Sequence, residues 1–228
     1  MCRIGFRVFC SNSISQSKSM DYLKKLPAHL AVLGDVSKGE IEILKSSDDE
    51  KEFGIVYEDQ YLFAVRDKVK FPDGRIGGYF RIISKGEVNG SCGTVMIPKI
   101  GDSVIFIRLF RHATRAWEWE LPRGYQELGV SIEDNARKEM KEELGLDVES
   151  IEELGKIKSN TGISSGEATA YLVDIPEDQL DSIVLSKDEA ISEFRIVTKN
   201  RLDQFLIRNV KCGFSLSAIL FAKLRNMI

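Results

Sequence analysis

Short apolar runs and a longer helical period alternate along this chain. Between residues 53 and 111 the apolar positions come in brief runs rich in β-branched and aromatic residues, which is how strands read. Gly54–Tyr57, Tyr61–Lys70, Gly78–Ile83, Gly93–Pro98 and Ser103–Arg111 are the predicted strands, with Val104–Phe110 reading as fully buried. Phe71-Pro72-Asp73-Gly74 is a turn by composition. Around residue 136 the period changes. Ala136, Met140 and Leu144 stand at i, i+4 and i+8 and make an apolar stripe. Ser131 with Asp134 three residues on reads as a capping box, and Gly145 as the left-handed residue that ends the helix. Further strands are predicted at Ile151–Ile157, Ala168–Val173 and Phe194–Val197, with a polar loop at Ser159–Gly166 and an acidic turn at Pro176–Asp181. Two helices close the chain, Lys199–Asn209 and Ser215–Met227, with Gly213 between them. Phe214, Ala218, Leu220, Phe221 and Leu224 form the expected apolar face of the second.

The first fifty residues are less patterned. Residues 1–20 carry Arg3, Arg7 and Lys18, several serines and no acid. That is weakly like a targeting peptide, but Arg7 interrupts the apolar part, and a ragged extension or a first edge strand is preferred. A short helix is expected at Asp21–Leu26, stopped by Pro27, then an apolar piece at His29–Leu33, alternation at Glu40–Leu44 and a charged turn at Ser46–Glu52. The expected organisation is an N-terminal extension (1–50), a small antiparallel β region (51–90), and a main domain (91–228) ending in a helix.

Composition narrows the function classes. Of 228 residues, 43% are hydrophobic, enough for a substantial core. The net charge of −3 gives no general basic footprint for nucleic acid, and no DNA-binding module stands out. No apolar run reaches the roughly 18 residues a membrane helix needs. Cys2, Cys10, Cys92 and Cys212 form no CxxC pair, and His29 and His112 lie far from any pair, so zinc is not expected and reduced thiols of a cytosolic protein are.

The chemistry is concentrated around residue 140. Glu139, Glu142 and Glu143 stand at i, i+3 and i+4, within an arc of about 100° on one helix face. Like charges this close destabilise a helix by a few tenths of a kcal/mol per pair, roughly. A hard divalent cation relieves that repulsion, since such ions take carboxylate oxygens together with substrate phosphates. The plainer reading is a solvated acidic face with Lys138 and Lys141 as partners. Arg108, Arg111, Arg115 and Arg123 place four guanidinium groups nearby, a side chain suited to phosphate. Trp117 and Trp119 suit either base stacking or core packing, and for either one alone the core is preferred. Glu167 ends the polar loop, as a functional carboxylate or as a surface residue at a strand start.

Gly124 to Leu146, GYQELGVSIEDNARKEMKEELGL, resembles the Nudix box, G-x5-E-x7-R-E-U-x-E-E-x-G-U with U aliphatic. Gly124, Glu139, Met140, Glu142, Glu143, Gly145 and Leu146 match. Val130 stands in place of the first Glu, and Lys138 in place of the Arg that orients a helix carboxylate. Lys keeps the charge without the planar fork, so the resemblance implies metal binding with a slower rate. WELPRG at 119–124 is similar to the W-E-L-P-A-G signature of the ADP-ribose pyrophosphatase branch, LFR at 109–111 resembles its Q-Y-R, and KVKFPDGRIGGY at 68–79 resembles its N-terminal dimer-forming segment.

The resemblance implies a Nudix α/β/α sandwich with a small N-terminal antiparallel β domain. It implies a Mg²⁺ (or Mn²⁺) hydrolase cleaving the pyrophosphate bond of a nucleoside diphosphate linked to another moiety, ADP-ribose foremost, in a cytoplasmic homodimer. Glu139, Glu142, Glu143 and the Arg123 carbonyl are the implied metal ligands. The base is a box glutamate or Glu167. Arg111, Arg115, Trp119, Glu120, Arg123 and Gly124 are the implied substrate-binding set. The alternative is a Nudix-fold module that senses a nucleotide without turnover, an option that Val130 and Lys138 keep open.

Overall fold

The computed structural model describes residues 23–26, 30, 33, 35, 39–47, 49–148, 150–186 and 188–228. The expectations for residues 1–20, and most of those for His29–Leu33, lie outside the described residues. Of the helix expected at Asp21–Leu26, the described part is a single 3-10 turn, Leu23–Lys25. The chain divides into two compact units. One comprises Ser91–Ser159 with Glu167–Ile228; the other takes the chain up to Gly90 together with Asn160–Gly166.

The smaller unit is a four-stranded antiparallel sheet of β1 (Glu42–Ile43), β2 (Gly54–Glu58), β3 (Leu62–Lys70) and β4 (Ile76–Ser84), followed by one helical turn, α1 (Lys85–Val88). β4 runs along one edge of β3 from Leu62↔Ser84 to Lys70↔Ile76, and β2 and β1 share the other edge. The β3–β4 hairpin turns at the predicted Phe71–Gly74, where Gly74 takes φ 84° and its N–H reaches the Phe71 carbonyl at 2.8 Å. Alternation along β3 puts Phe63, Val65, Asp67 and Val69 inside, and Asp67 survives there because Arg81 meets it at 2.6 Å. The polar loop 160–166 joins this sheet, through a bridge from Ile82 to Ser164 and a 2.9 Å hydrogen bond from the Tyr79 hydroxyl to the Gly162 carbonyl.

The larger unit is an α/β/α sandwich. Its strands are β5 (Gly93–Ile100), β6 (Ser103–Arg111), β7 (Ala116–Glu120), β8 (Arg123–Tyr125), β9 (Ile151–Ile157), β10 (Ala168–Asp174) and β11 (Ile191–Thr198), in the order β11-β6-β5-β10-β9. Its helices are α2 (Ile132–Leu144), α3 (Lys199–Asn209) and α4 (Gly213–Leu224). β5 and β6 stay paired only beside their turn, at Lys99↔Val104 and Ile100↔Ser103. Beyond it they diverge: β8 pairs with Gly93–Val95 and β7 with Ile107–Arg111. β10 lies between β5 and β9 and is buried on both faces, so it reads as a nearly continuous apolar run interrupted by Thr169.

Strand alternation sorts the core into two layers. Val95, Ile97, Phe106, Ala170 and Leu172 face α3 and α4, while Met96, Ile105, Ile107, Tyr171 and Val173 face the Ala136–Met140–Leu144 stripe of α2. The predicted face of α4 needs correction. Leu220 and Leu224 are 53% and 72% exposed, and the buried stripe is Ser215, Ala218, Ile219 and Ala222. Small residues there let the helix lie close to the sheet, and the one buried hydroxyl, Ser215, accepts the Leu121 N–H at 3.0 Å. Gly213, expected between the two helices, is the first residue of α4. No helix among the described residues is long and apolar enough to cross a membrane.

Candidate active site

α2 starts and stops where its sequence directs. The Ser131 side chain accepts the Asp134 N–H at 3.0 Å, and Gly145 at φ 74° closes the helix with its N–H on the Lys141 carbonyl. With Ala136, Met140 and Leu144 buried, the helix is anchored and its rotation fixed. Glu139 and Glu143, one turn apart, are thereby turned inward beside β8.

Glu143 is 2% exposed. It takes a hydrogen bond from the Arg123 backbone N–H, and its Oε2 has no partner. Burial first, then Glu139 and Glu189, push its carboxyl well above the ordinary value. Glu139 is half-buried. Burial, followed by the charges of Glu142 and Glu189, lifts it from 4.5 to about 7. The space for its carboxylate exists because residue 124 is glycine: a Cβ there would lie 1.8 Å from Cδ and Oε1 of Glu139.

The third box carboxylate departs from expectation. Glu142 is exposed and turned to Lys138, 3.5 Å away one helical turn back. Lys138 also pairs with Glu127 in the loop before α2. Among the described residues, no three His, Cys, Asp or Glu side chains cluster closely enough to hold a metal by themselves. The charge that acts on both inward glutamates is Glu189, which sequence reasoning passed over. It sits in a turn just before β11. That segment is pinned to the end of α2 by Val184 N–H on the Leu144 carbonyl (2.9 Å), and to β6 by Phe110 N–H on the Ala190 carbonyl (3.2 Å). The available signal was an acidic residue immediately before a strand, but β11 was predicted to begin three residues late.

Glu167 stands with a different set of partners. Lys156 at 2.9 Å and Lys158 at 3.6 Å engage its carboxylate. Burial alone would raise Glu167; the two lysines outweigh it and hold it below the ordinary value.

Beside the inward glutamates lies an arginine–glutamate–arginine arrangement, its glutamate buried and its arginines partly so. Arg111 grips Glu120 through two hydrogen bonds, Nε–Oε1 3.0 Å and Nη2–Oε2 2.7 Å, and Arg123 Nε meets the same Oε2 at 2.8 Å. Burial would raise Glu120, but the two guanidiniums overcome it and keep the carboxyl below its ordinary value. Burial likewise opposes the Arg111 charge, and Glu120 with Glu143 restores it. The three residues together carry one net positive charge. Arg115 occupies the β6–β7 turn at φ 54°, over the Phe110 ring and bonded to His112 Nδ1 at 2.8 Å. Trp119, expected to touch substrate, is a core residue, 8% exposed: Arg195 covers it at 4.7 Å and Phe205 meets it edge-on at 5.6 Å. The open indole is Trp117, 45% exposed, two residues back on the same face of β7.

Residues 93–211, more than half of the chain, match the NUDIX domain. The chain belongs to this family. It is a Nudix hydrolase. The crystal structure of an ADP compounds hydrolase is similar to it, with a TM-score of 0.65 and 16% identity, covering 84% of this chain and 99% of that one. At that identity the likeness shows the fold. No curated protein sequence matches the chain.

The residues of this Nudix chain fit the divalent cation its family implies. Two inward carboxylates, a buried Oε2 with no hydrogen-bond partner and a glycine that clears space for Glu139 make a hard-oxygen donor set. Magnesium is commonly held by only one or two carboxylates with substrate phosphates completing its shell, so a third box ligand is not needed.

A stability measurement checks this fit. In the folded chain Glu139 titrates near 7 against 4.5 unfolded, so between those values the folded state holds the extra proton. Stability therefore falls as pH rises through that window, and Glu143 extends the fall upward. In chelator, the melting temperature should drop from pH 5 to pH 8. Magnesium at about 100 times its Kd should restore about 2.7 kcal/mol at pH 8, or about 5–10 °C for a chain this long. A melting temperature at pH 8 that ignores magnesium would remove the cation from this site.

Proposed function

We propose that this Nudix hydrolase cleaves the pyrophosphate bond of a nucleoside diphosphate joined to another moiety, with ADP-ribose, cleaved to AMP and ribose 5-phosphate, as the leading substrate. The observation that carries the reading is the inward Glu139–Glu143 pair beside the Arg111–Glu120–Arg123 arrangement. Glu139 and Glu143 hold Mg²⁺ or Mn²⁺, with the Arg123 carbonyl as a third donor. The cation neutralises diphosphate charge and acidifies water when bound. Arg111 and Arg123, locked in place by Glu120, stabilise the charge that grows on the phosphate oxygens. Glu189, exposed and facing the pair, accepts the proton from the attacking water in preference to Glu167, whose oxygens are held by lysines. The water oxygen joins one phosphorus, the bridging oxygen leaves with the other phosphate, and Glu189 returns the proton to solvent.

The choice of ADP-ribose draws on the WELPRG signature and on the ADP compounds hydrolase of similar fold. Product analysis with magnesium on ADP-ribose, other nucleotide sugars, NADH, diadenosine polyphosphates and nucleoside triphosphates tests it. AMP from ADP-ribose as the fastest reaction supports the substrate. Turnover of another compound alone keeps the chemistry and discards ADP-ribose. The reading includes a cytoplasmic homodimer, and a solution mass of 25.7 kDa, that of one chain, would count against the dimer.

A further inference from the structure

The sheet face opposite α2 carries a second concentration of positive charge. A groove of about 210 Å³ there is lined by Arg195, Arg201, Gln204, Phe205, Arg208 and Asn209. Arg195 belongs to this face because it alternates along β11 with Phe194 and Ile196, which pack on the α2 side, while Val197 joins the α3/α4 core. Arg201 and Arg208 are seven residues apart on α3. Two turns separate them, so they project from one face about 10 Å apart.

The three guanidiniums are poised rather than neutralised. The Arg195 guanidinium lies over the Trp119 ring at 4.7 Å and near Phe205 at 5.9 Å. A cation–π contact uses none of the guanidinium's N–H donors, which suit a planar or tetrahedral anion. Acidic residues nearby are engaged elsewhere: Glu193 with Arg108 at 2.8 Å, and Asp203 with Lys223. Among the described residues none of the three arginines has an ion pair. The three arginines line a concave groove in a chain whose net charge is −3. It is too small for a whole nucleotide but accommodates a phosphate or diphosphate group, which arginine binds through paired, charge-assisted hydrogen bonds.

We propose that this groove is an anion site distinct from the carboxylate site, taking the phosphate or diphosphate group of a small phosphorylated ligand. The chain supplies its own reporter, since Trp117 and Trp119 are its only tryptophans. In a Trp117→Phe background, inorganic pyrophosphate is titrated in chelator at constant ionic strength, followed by Trp119 fluorescence and by calorimetry, with inorganic phosphate and sodium chloride as parallel arms. Saturable pyrophosphate binding is expected, weakened at least about tenfold by the joint change Arg201→Gln and Arg208→Gln. The corresponding lysine pair should recover part of the affinity, and magnesium-dependent hydrolysis by the glutamine pair should stay at its starting rate. A chloride response equal to that of pyrophosphate, no saturable binding by either readout, or binding unmoved by the glutamine pair would each overturn the site.

Discussion

Replacing Gly124 by alanine is expected to slow hydrolysis about a hundredfold while leaving the fold intact. The new Cβ would lie 1.8 Å from Cδ and Oε1 of Glu139 and 2.3 Å from Oε2. No pair of nonbonded atoms sits so close, so something must move. The obstructing atoms are the far end of a flexible side chain, and Gly124 is not among the glycines with positive φ, so the backbone accepts alanine and Glu139 is what shifts. A displacement of about 1 Å in a positioned group costs about 10² in rate. Glu139 would turn away from Glu143 and toward solvent, so its pKa should fall back toward 4.5 and the magnesium-dependent rise in melting temperature should shrink. Gly213→Ala is the control, because a Cβ there meets nothing within 4 Å. Unchanged turnover in Gly124→Ala would mean that the position of Glu139 is not part of the chemistry.

How much of this site was legible in the sequence depended on whether its cause was local. Most of α2 was legible: its caps and its Ala136–Met140–Leu144 stripe follow from spacing along one helix, and the same spacing put Glu139 and Glu143 on one face together with Glu142. β7 was not. Trp117-Glu118-Trp119-Glu120 breaks the in–out pattern because Glu120 is buried beside Trp119, and it is buried only because Arg111 and Arg123 reach it from other strands. Glu142 shows the limit of the helical-arc argument. An arc of about 100° holds all three glutamates on paper, yet only its inner edge reaches the cleft, and Lys138 one turn back takes the outer one. Glu189 depends on a loop that returns to the end of α2 through Val184 and Ser186, a long-range closure with no periodic signal. On α4 the expected Phe214, Ala218 and Phe221 do pack on the core, but apolar count added the exposed Leu220 and Leu224 and passed over the small buried Ser215 and Ala222.

Glu143→Gln should abolish most turnover and, in the same protein, disconnect stability from magnesium. The rate should fall by about 10²–10⁴-fold, the range for removing a group that acts on charge or protons at the reacting centre. Loss of rate alone would not separate a role at the site from damage to the fold, and the pH dependence does. At pH 5 in chelator the protonated form of Glu143 is favoured, since burial and its acidic neighbours push its pKa up. The neutral amide has nearly the same shape and charge as that acid, so wild type and variant should melt within a few degrees of each other there. Toward pH 8 the wild type must ionise a buried carboxyl beside Glu139 and loses stability with rising pH, while the variant has one less group to ionise and falls less. Magnesium should raise the wild type at pH 8 and leave the variant close to its chelator value. A variant that melts far below wild type at pH 5 would assign Glu143 to the architecture of α2 rather than to the site. A variant that keeps its turnover would take the reaction away from this pair of carboxylates altogether.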